Sequence, residues 1–374
     1  MPWLLTPGPV TTAAAVRAAM QRDWGSRDDD FIALTRRVRE RLLRLAGAET
    51  SHECVLLQGS GTFAVEAALQ SLVPRNGRLL VLVNGAYGRR MAEIARRLGR
   101  AVSILETAED RPISVSETAA RLDEDPAITD IAVVHCETTS GLLNPVERIA
   151  EAVAARGRRL LIDAMSAFGA LPLDARHTPF AALIAPSNKC LEGVPGIAFV
   201  IAEKAHLAAA RGNATSLSLD LHAQWQGFAQ NGQWRFTPPT HVLAALDAAL
   251  DLHAAEGGVA ARGARYTRNC RILVDGMRRL GFRPLLPDAT QAPIIVTFHM
   301  PRHPRFAFAP FYRSLHERGF VIYPGKIAFA ESFRIGCIGA IDETVMEKAV
   351  AAVAAVLAEM GLSGIDLYEG APAG

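Results

Sequence analysis

Lysine is scarce in this sequence, and one lysine stands where packing does not explain it. Lysine and arginine together number 40 in 374 residues, but only four are lysines: Lys189, Lys204, Lys326 and Lys348. Lys189 lies between two apolar runs, 180–185 and 197–202, in a stretch of small residues, glycine and proline. A lysine amine can lose its proton and bond covalently to an aldehyde, which a guanidinium cannot do. We therefore predict that Lys189 carries a covalently bound aldehyde cofactor.

The other lysines are weaker candidates for that role. Lys348 falls on the polar face of a predicted helix, and Lys204 follows a strand at an ordinary surface position. The position of Lys326 does not exclude it. Lys189 is favoured because an acidic residue, Asp163, ends an apolar run upstream of it, whereas Lys326 has no such residue before it.

Asp163 could act on a ring cofactor or could cap a helix. A carboxylate at the end of an apolar strand can pair with a protonated pyridine nitrogen and keep the ring an electron sink. The alternative is a helix N-cap, a common role for aspartate. The interval between Asp163 and Lys189 leaves room for one helix and one strand, which would place the two residues in neighbouring loops.

A possible anion site precedes both residues. Ser60, Gly61 and Thr62 follow the apolar run 54–57 and precede an amphipathic helix predicted over 63–72. Free backbone N–H groups and the helix dipole make such a corner attractive to a phosphate, and the hydroxyls add donors. A capped glycine-rich turn without a ligand explains the same residues equally well.

Three further positions could contact a planar, anionic ligand. Tyr87 lies among glycines in the loop after the next strand, where its ring could stack on a cofactor. Thr138 belongs to a hydroxyl-rich loop after the predicted strand 131–135. Arg334, in an apolar strand-like run, either binds an anion with both arms or keeps a sheet edge soluble. A turn tyrosine and hydroxyls bonded to local backbone are equally ordinary structural roles.

The residues before Arg334 form a set that one cofactor would use. They supply a phosphate cradle, a ring stacker, a donor to a ring oxygen, a partner for a ring nitrogen and an amine. Pyridoxal 5′-phosphate requires these parts. We therefore predict a site for this cofactor at the ends of successive strands.

The elements that would position these residues are short apolar strands that alternate with amphipathic helices. Strands are predicted near 54–57, 79–83, 102–105, 131–135, 160–162, 181–185 and 197–201. Such alternation is typical of an α/β fold with a mostly parallel sheet, whose ligands bind at the carboxyl ends of the strands. Beyond residue 258 a long helix and a few strands predict a smaller α/β domain with an antiparallel sheet.

The predicted organisation has four parts. An N-terminal arm covers 1–15, a large cofactor-binding domain 16–258, a small C-terminal domain 259–362 and a mobile Gly/Ala/Pro-rich tail 363–374. The segment 205–245 has a looser pattern that contains Trp225 and Trp234, and a helix is predicted over 242–255.

Composition excludes several classes of protein. The net charge of +2 gives no basic patch for a nucleic acid, and no apolar run approaches the length of a membrane span. The first residues lack the pattern of a signal peptide. The five cysteines form no C-x-x-C pair, so neither a metal site nor a disulfide framework is expected. We expect a cytoplasmic enzyme.

Several stretches resemble one family of enzymes. The chain is similar over about residues 3–360 to the fold-type-I, class-V aminotransferases that use pyridoxal phosphate, and among them to the 2-aminoethylphosphonate–pyruvate aminotransferase family. The stretches are LLTPGPVTT, DDDF, VLLQGSGTFAVEAAL, NGAYG, HCETTSGLLNP, DAMSAFG, SNKCLEGVPG, SLSLDLHAQW, WRFTPPTH, EGGVAAR, GFVIYPGK and FRIG. SNKC-x-x-GVPG, SLSLDL and VIYPGK are specific to this family; the other parts also occur in alanine– and serine–glyoxylate aminotransferases.

The resemblance implies a fold, a reaction and roles for residues. It implies a seven-stranded, mostly parallel sheet, transamination of 2-aminoethylphosphonate with pyruvate, and a homodimer with shared sites. The implied roles are cofactor-bound lysine for Lys189, ring-nitrogen partner for Asp163, phosphate contacts for Ser60, Gly61, Thr62 and Asn188, ring contacts for Tyr87 and Thr138, phosphate contact in the neighbouring subunit for Thr237, and substrate acid group for Arg334.

Two positions depart from the pattern of the family, and other activities stay open. Cys337 stands where asparagine is usual, and Glu192 where glutamine is usual. Another class-V aminotransferase, acting on a different small amine or amino acid, is the alternative activity. A non-catalytic cofactor-binding protein is disfavoured because the lysine, aspartate and arginine are all present. A cysteine desulfurase would need a cysteine in a mobile loop, whereas Cys337 is predicted inside a regular segment.

Overall fold

The computed structural model describes residues 2–363 and 367–368 of the chain. In chain order its elements are β1 (Trp3–Leu4), α1 (Ala14–Ala18), a 3₁₀ turn (Ala19–Gln21), α2 (Asp29–Leu45), β2 (His52–Gln58), α3 (Gly61–Leu72), β3 (Arg78–Val83), α4 (Ala86–Arg97), β4 (Ala101–Glu106), α5 (Val115–Glu124), β5 (Ile128–Val134), β6 (Cys136–Glu137), β7 (Leu142–Leu143), α6 (Val146–Ala154), β8 (Arg159–Asp163), β9 (Ala182–Pro186), β10 (Ile197–Glu203), α7 (Lys204–Ala209), α8 (Leu221–Asn231), α9 (Thr240–Glu256), α10 (Gly258–Arg279), β11 (Ile295–His299), α11 (Phe308–Glu317), β12 (Phe320–Val321), β13 (Tyr323–Pro324), β14 (Ser332–Gly336) and α12 (Glu343–Glu359).

The main sheet has seven strands in the order β2-β10-β9-β8-β5-β3-β4. Only β10 runs against its neighbours, β2 and β9; every other pair is parallel. The strands are continuous apolar runs because helices such as α2, α3, α4 and α6 pack against the sheet. The predicted mostly parallel seven-stranded sheet is confirmed.

This arrangement brings the predicted loops to one edge. Since β2 and β9 both run antiparallel to β10, they are parallel to each other and to β3, β5 and β8. The carboxyl ends of these five strands therefore meet at the same edge of the sheet, where ligands bind in such folds.

A second sheet of three antiparallel strands, β11-β14-β13, lies in the C-terminal part. Its apolar core is rich in phenylalanine, and the rings of Phe298 and Phe333 stack with centroids 5.6 Å apart. The arm joins this core: β1 pairs with β12, and Leu5 is buried there. The largest apolar cluster, in contrast, runs from Phe31 to Leu250 and covers the main sheet.

The predicted domain limits stay a prediction, although two glycines in the left-handed region, Gly257 and Gly258, join α9 to α10 at the proposed boundary. Of the predicted mobile tail, 364–366 and 369–374 lie outside the described residues. Leu367 is buried against the second core, and the Tyr368 hydroxyl donates to the carbonyl of His299 at 3.0 Å.

Some local expectations were wrong. The loose segment 205–245 contains α8, which begins where the Asp220 side chain accepts the N–H of Ala223 and ends at Gly232. No helix separates Asp163 from Lys189; residues 164–181 form turns, and β8 pairs directly with β9. Cys337 does not lie inside a regular element but follows β14.

No helix of the residues described has both the length and the apolar character needed to cross a membrane.

Candidate active site

A cavity of about 200 Å³ opens at the carboxyl edge of the main sheet. It lies between α3, α4 and the ends of β8 and β9. Most of the residues predicted for the cofactor line it. The lining residues are Ser60, Gly61, Thr62, Val65, Tyr87, Arg90, Met91, Asp163, Met165, Pro186, Asn188 and Lys189.

Lys189 is half-buried in the loop that follows β9. Its Nζ donates to the Ser166 hydroxyl at 3.0 Å and lies 5.7 Å from the centre of the Tyr87 ring. The loop is held tightly, since the N–H of Gly193 donates to the carbonyl of Ser187 at 2.8 Å. Gly8 of the arm also packs on the lysine: a Cβ there would come within 3.1 Å of the Lys189 Cγ. The amine therefore has a defined place in the cavity.

Asp163 is the last residue of β8 and is buried in the floor of the cavity. Its Oδ1 accepts the N–H of Met165 at 3.0 Å. Burial raises the pKa of the Asp163 carboxyl, against that N–H and the charges of Lys189 and Arg90, which lower it. The helix-cap alternative is excluded because no helix follows this strand. A cationic ring nitrogen would compensate the buried carboxylate.

The predicted anion corner lies at the start of α3. Ser60 has extended backbone and occupies the N-cap position, but its side chain makes no capping hydrogen bond, so the hydroxyl is available to a ligand. The Thr62 hydroxyl accepts from the Arg90 Nη1 at 3.3 Å. A twelve-residue helix therefore points its free N–H groups into a cavity that already contains a guanidinium.

Tyr87 lies in the first turn of α4, not in the loop where it was predicted. The helix begins early because the buried Glu137 carboxylate accepts the N–H of Tyr87 at 3.2 Å, and the Thr139 hydroxyl accepts that of Ala86. These contacts come from residues far along the chain, which the local sequence pattern does not reveal. They fix the ring beside the lysine amine.

The phenol of Tyr87 is surrounded by positive charge. Burial acts to raise its pKa, but the charge of Lys189 and a hydrogen bond with Thr138 act in the other direction. The charges of Lys326 and Arg334 add to this, and the pKa falls below its usual value.

Arg334 lies on β14, the central strand of the small sheet, and its side chain is only 1% exposed. Its Nη1 donates to the carbonyl of Thr138 at 2.7 Å and its Nε to that of Pro324 at 3.1 Å. Burial lowers the pKa of this guanidinium, although Tyr87 and Glu137 act to raise it. A solubility charge at a sheet edge is therefore excluded, and Arg334 is fixed beside the Tyr87 phenol.

Two residues predicted to contact the cofactor do not line the cavity, and Arg334, predicted for the substrate, is not part of its lining either. Thr138 is buried, and its carbonyl accepts from the Arg334 Nη1 at 2.7 Å. Thr237 is exposed in the segment before α9, next to the exposed ring of Phe236. Their predicted contacts with the cofactor stay predictions.

Three residues of the site were missed by sequence reasoning. Ser166 holds the lysine amine, Arg90 joins the anion corner, and Glu137 anchors the start of α4. Only Arg90 carried a usable signal, since it stands one helical turn after Tyr87 and so shares its helix face.

The cysteines and His135 do not form a nucleophilic site. All five cysteines are buried, and a hydrogen bond with Cys270 together with burial raises the pKa of Cys337. Burial lowers the pKa of His135 to about 4, so this ring is neutral at pH 7. A fully buried thiol cannot act as the mobile nucleophile of a desulfurase.

Comparison with known families agrees with the geometry. The sequence profile described as "Aminotransferase class-V" matches residues 12–326. A protein of Pseudomonas fluorescens named 2-aminoethylphosphonate–pyruvate transaminase is 58% identical over 359 residues, which cover 96% of this chain and 97% of the relative. A protein of the same name from Pseudomonas putida is 57% identical, with 96% and 98% covered.

Solved structures share the fold. Pyridoxamine–pyruvate aminotransferase from Mesorhizobium loti superposes with a TM-score of 0.88 at 25% identity, covering 96% of this chain and 93% of that one. Ureidoglycine–glyoxylate aminotransferase from Bacillus subtilis gives a TM-score of 0.89 at 23% identity, covering 98% and 95%. The predicted resemblance and the predicted fold class are both confirmed.

Proposed function

We propose, from the premise that this chain belongs to the class-V aminotransferase family, that it transfers the amino group of 2-aminoethylphosphonate to pyruvate. The enzyme is an aminotransferase that uses pyridoxal 5′-phosphate. The proposal rests on one observation: Lys189, Asp163 and the start of α3 line the same cavity, and Arg334 lies next to it. Relatives that bear the name of this activity match nearly the whole chain.

The cavity fits the cofactor. Asp163 is a buried carboxylate whose pKa is raised by burial, and a protonated ring nitrogen is the partner that such a group lacks. Ser60, which makes no cap bond with its own helix, Thr62 and the N–H groups of α3 would hold the phosphate. Lys189 supplies the amine for covalent attachment.

When bound, pyridoxal phosphate supplies a conjugated ring that takes up the electron pair released when a C–H bond next to the substrate amine breaks. Lys189 does the proton transfer: its Nζ, once free, removes the proton from the substrate carbon. Ser166 keeps this Nζ at a fixed place through its hydroxyl. Asp163 keeps the proton on the ring nitrogen, which preserves the electron demand of the ring.

Arg334 binds the acidic group of each substrate in turn. A guanidinium donates hydrogen bonds to two oxygens of a phosphonate or of a carboxylate with similar geometry. One arginine can therefore serve both half-reactions, in which 2-aminoethylphosphonate yields phosphonoacetaldehyde and pyruvate yields L-alanine. The neighbouring Tyr87 phenol adds a hydrogen-bonding group on the same side of the cavity.

The working unit is a homodimer with shared active sites. Thr237 is exposed, and the apolar side chains of Phe63, Leu217 and Phe236 are exposed at 51%, 73% and 44%. Phe63 lies in the first turn of α3, next to the anion corner, so a second copy that covers these side chains would also approach the cofactor phosphate. We place the dimer in the cytoplasm, in agreement with the sequence expectation.

Product identification tests this function. We expect the purified enzyme, given 2-aminoethylphosphonate and pyruvate, to form alanine in amino-acid analysis and a new phosphonate signal in ³¹P spectra. Lys189→Ala should form neither product, while the control Lys204→Ala, which removes a lysine bonded to the carbonyl of Thr50, should behave as wild type. Products from alanine or serine with glyoxylate, but none from the phosphonate, would instead assign the alternative class-V activity.

A further inference from the structure

Lys326 is a cation that the proposed reaction leaves without a role. It is exposed in the loop 325–331 between β13 and β14. Its side chain forms no hydrogen bond or ion pair with another of the residues that the structure describes. Unpaired lysines are common on protein surfaces. Whether Lys326 has a function therefore depends on its position relative to the active site.

The loop that carries Lys326 is held by hydrogen bonds on both sides of this residue. Just before the loop, the carbonyl of Pro324 accepts from Arg334 at 3.1 Å, and the N–H of Gly325 donates to the carbonyl of Ser332. After Lys326, the N–H of Ala328 donates to the Glu109 carboxylate at 2.8 Å.

Glu109 connects this loop to the helix that carries Tyr87. It is 4% exposed and pairs with Arg89, which lies two residues beyond Tyr87 on α4. The loop therefore spans from the substrate arginine on β14 to the helix that carries Tyr87. Lys326 lies midway along this span, and its charge acts on the Tyr87 phenol together with those of Lys189 and Arg334.

Arg334 alone does not match a doubly charged ligand. Two of its donor nitrogens are already engaged by the carbonyls of Thr138 and Pro324, and it carries one positive charge. A phosphonate presents three oxygens and up to two negative charges, whereas a carboxylate presents two oxygens and one charge. The second charge of the phosphonate requires another cation at the same place.

We propose that Lys326 is that cation, and that it makes the site prefer a phosphonate to a carboxylate. This inference rests on the proposed function, because it assigns a residue that selects the substrate of that same site. Lys326 and Arg334 hold the phosphonate from two sides, while a carboxylate is held by Arg334 alone. The loop 325–331 leads from the small sheet towards α4, and the hydrogen bond from Ala328 to Glu109 holds it there.

The test compares two ligands that cannot react because they lack an amine. Ethylphosphonate and propionate are titrated into the cofactor-loaded enzyme by calorimetry. In Lys326→Met we expect the Kd of ethylphosphonate to rise about tenfold and that of propionate to change less than about twofold. Lys326→Arg should stay within about threefold of wild type for both ligands, since the charge is kept.

A matched control and the half-reactions complete the test. Lys348→Met removes the same charge from an exposed position on α12 and should change neither Kd. The apparent second-order rate constant of 2-aminoethylphosphonate should fall with Lys326→Met, while that of L-alanine should not. Equal effects on both ligands, or no effect, would overturn the role of Lys326. A wild-type enzyme that does not react with 2-aminoethylphosphonate would overturn the proposed function itself, and this inference with it.

Discussion

At the scale of single residues, Asp163 is a carboxyl whose burial disfavours the charged form, although the proposed reaction needs that form. Its carboxylate lies in the cavity floor with a single backbone hydrogen bond, and burial raises its pKa. Such a site is unfavourable for the empty protein and favourable once a cation occupies the cavity. The cost is therefore expected to appear in the stability of the cofactor-free protein.

We predict that Asp163→Asn stabilises the cofactor-free protein at neutral pH. A carboxyl whose pKa is higher in the folded than in the unfolded state favours folding most below its unfolded value, near 3.8, and loses that contribution as the pH rises. The variant should melt about 2 °C higher at pH 7, and the difference should shrink as the pH falls towards 4.

Thermal unfolding with and without pyridoxal phosphate measures this prediction. With the cofactor loaded, the order should reverse, because the neutral amide of the variant would no longer balance a ring cation. A cofactor-free variant that melts below the wild type at pH 7 would contradict the role given to Asp163.

The sequence predicted the residues that carry charge or an amine better than those that position them. Lys189 and Asp163 stand out in the sequence because lysine is rare in the chain and because the carboxylate directly ends an apolar run. Ser166 does not stand out, because its contact with Lys189 depends on the distance between two loops after neighbouring strands.

At the scale of elements, the strands of the main sheet were predictable and several helices were not. Strands buried on both faces are continuous apolar runs, which the sequence displays directly. The turns of 164–181, in contrast, are held from outside the segment, for example by the carbonyl of Ala46, which accepts the N–H of Ala175. The early start of α4 likewise depends on Glu137, which lies beyond β5.

We predict that Glu137 stabilises both the fold and the start of α4. Its carboxylate accepts the N–H groups of Tyr87 and Thr139 and the Thr139 hydroxyl, at 3.2, 3.1 and 2.6 Å. Glu137→Ala leaves these buried donors unpaired and should cost about 2–3 kcal/mol of unfolding free energy.

Chemical denaturation checks this value against a control on another helix. Glu147→Ala removes an exposed glutamate from the first turn of α6 and should cost less than about 1 kcal/mol. Similar costs for the two variants would show that Glu137 is not a buried anchor.

At the scale of the whole molecule, polar contacts connect the lysine loop to the long helix α10. Glu192, in that loop, accepts from the Tyr266 hydroxyl at 2.6 Å and pairs with Arg265 at 2.7 Å, both on α10. Arg262, on the same helix, donates to the carbonyl of Cys190. The long helix therefore ties the segment that carries Lys189 to the C-terminal part of the chain.

The proposed shared-site dimer makes a prediction for mixed variants. Thr237→Glu should repel the phosphate of the partner's cofactor, and Lys189→Ala removes the amine of its own site, so each homodimer should be inactive. A heterodimer of the two has one site with both changes and one with neither. When the unfolded variants are mixed and refolded together, half of the dimers should be mixed, and each of these has one intact site of two. The mixture should therefore show about a quarter of the wild-type activity.

Activity assays after co-refolding test this arrangement. Lys189→Ala refolded alone, and mixed with Thr237→Ser, serve as controls for carry-over activity. No gain in the Lys189→Ala and Thr237→Glu mixture, with dimers present in size-exclusion chromatography, would mean that each subunit builds its site alone.

If one cavity handles both substrates through Lys189, the absorbance of the bound cofactor should report both half-reactions. We predict that excess 2-aminoethylphosphonate converts the spectrum of the loaded enzyme to that of the aminated cofactor, and that pyruvate then restores the first spectrum. Lys189→Ala should complete neither change. A spectrum that responds to L-alanine but stays unchanged with 2-aminoethylphosphonate would contradict the account.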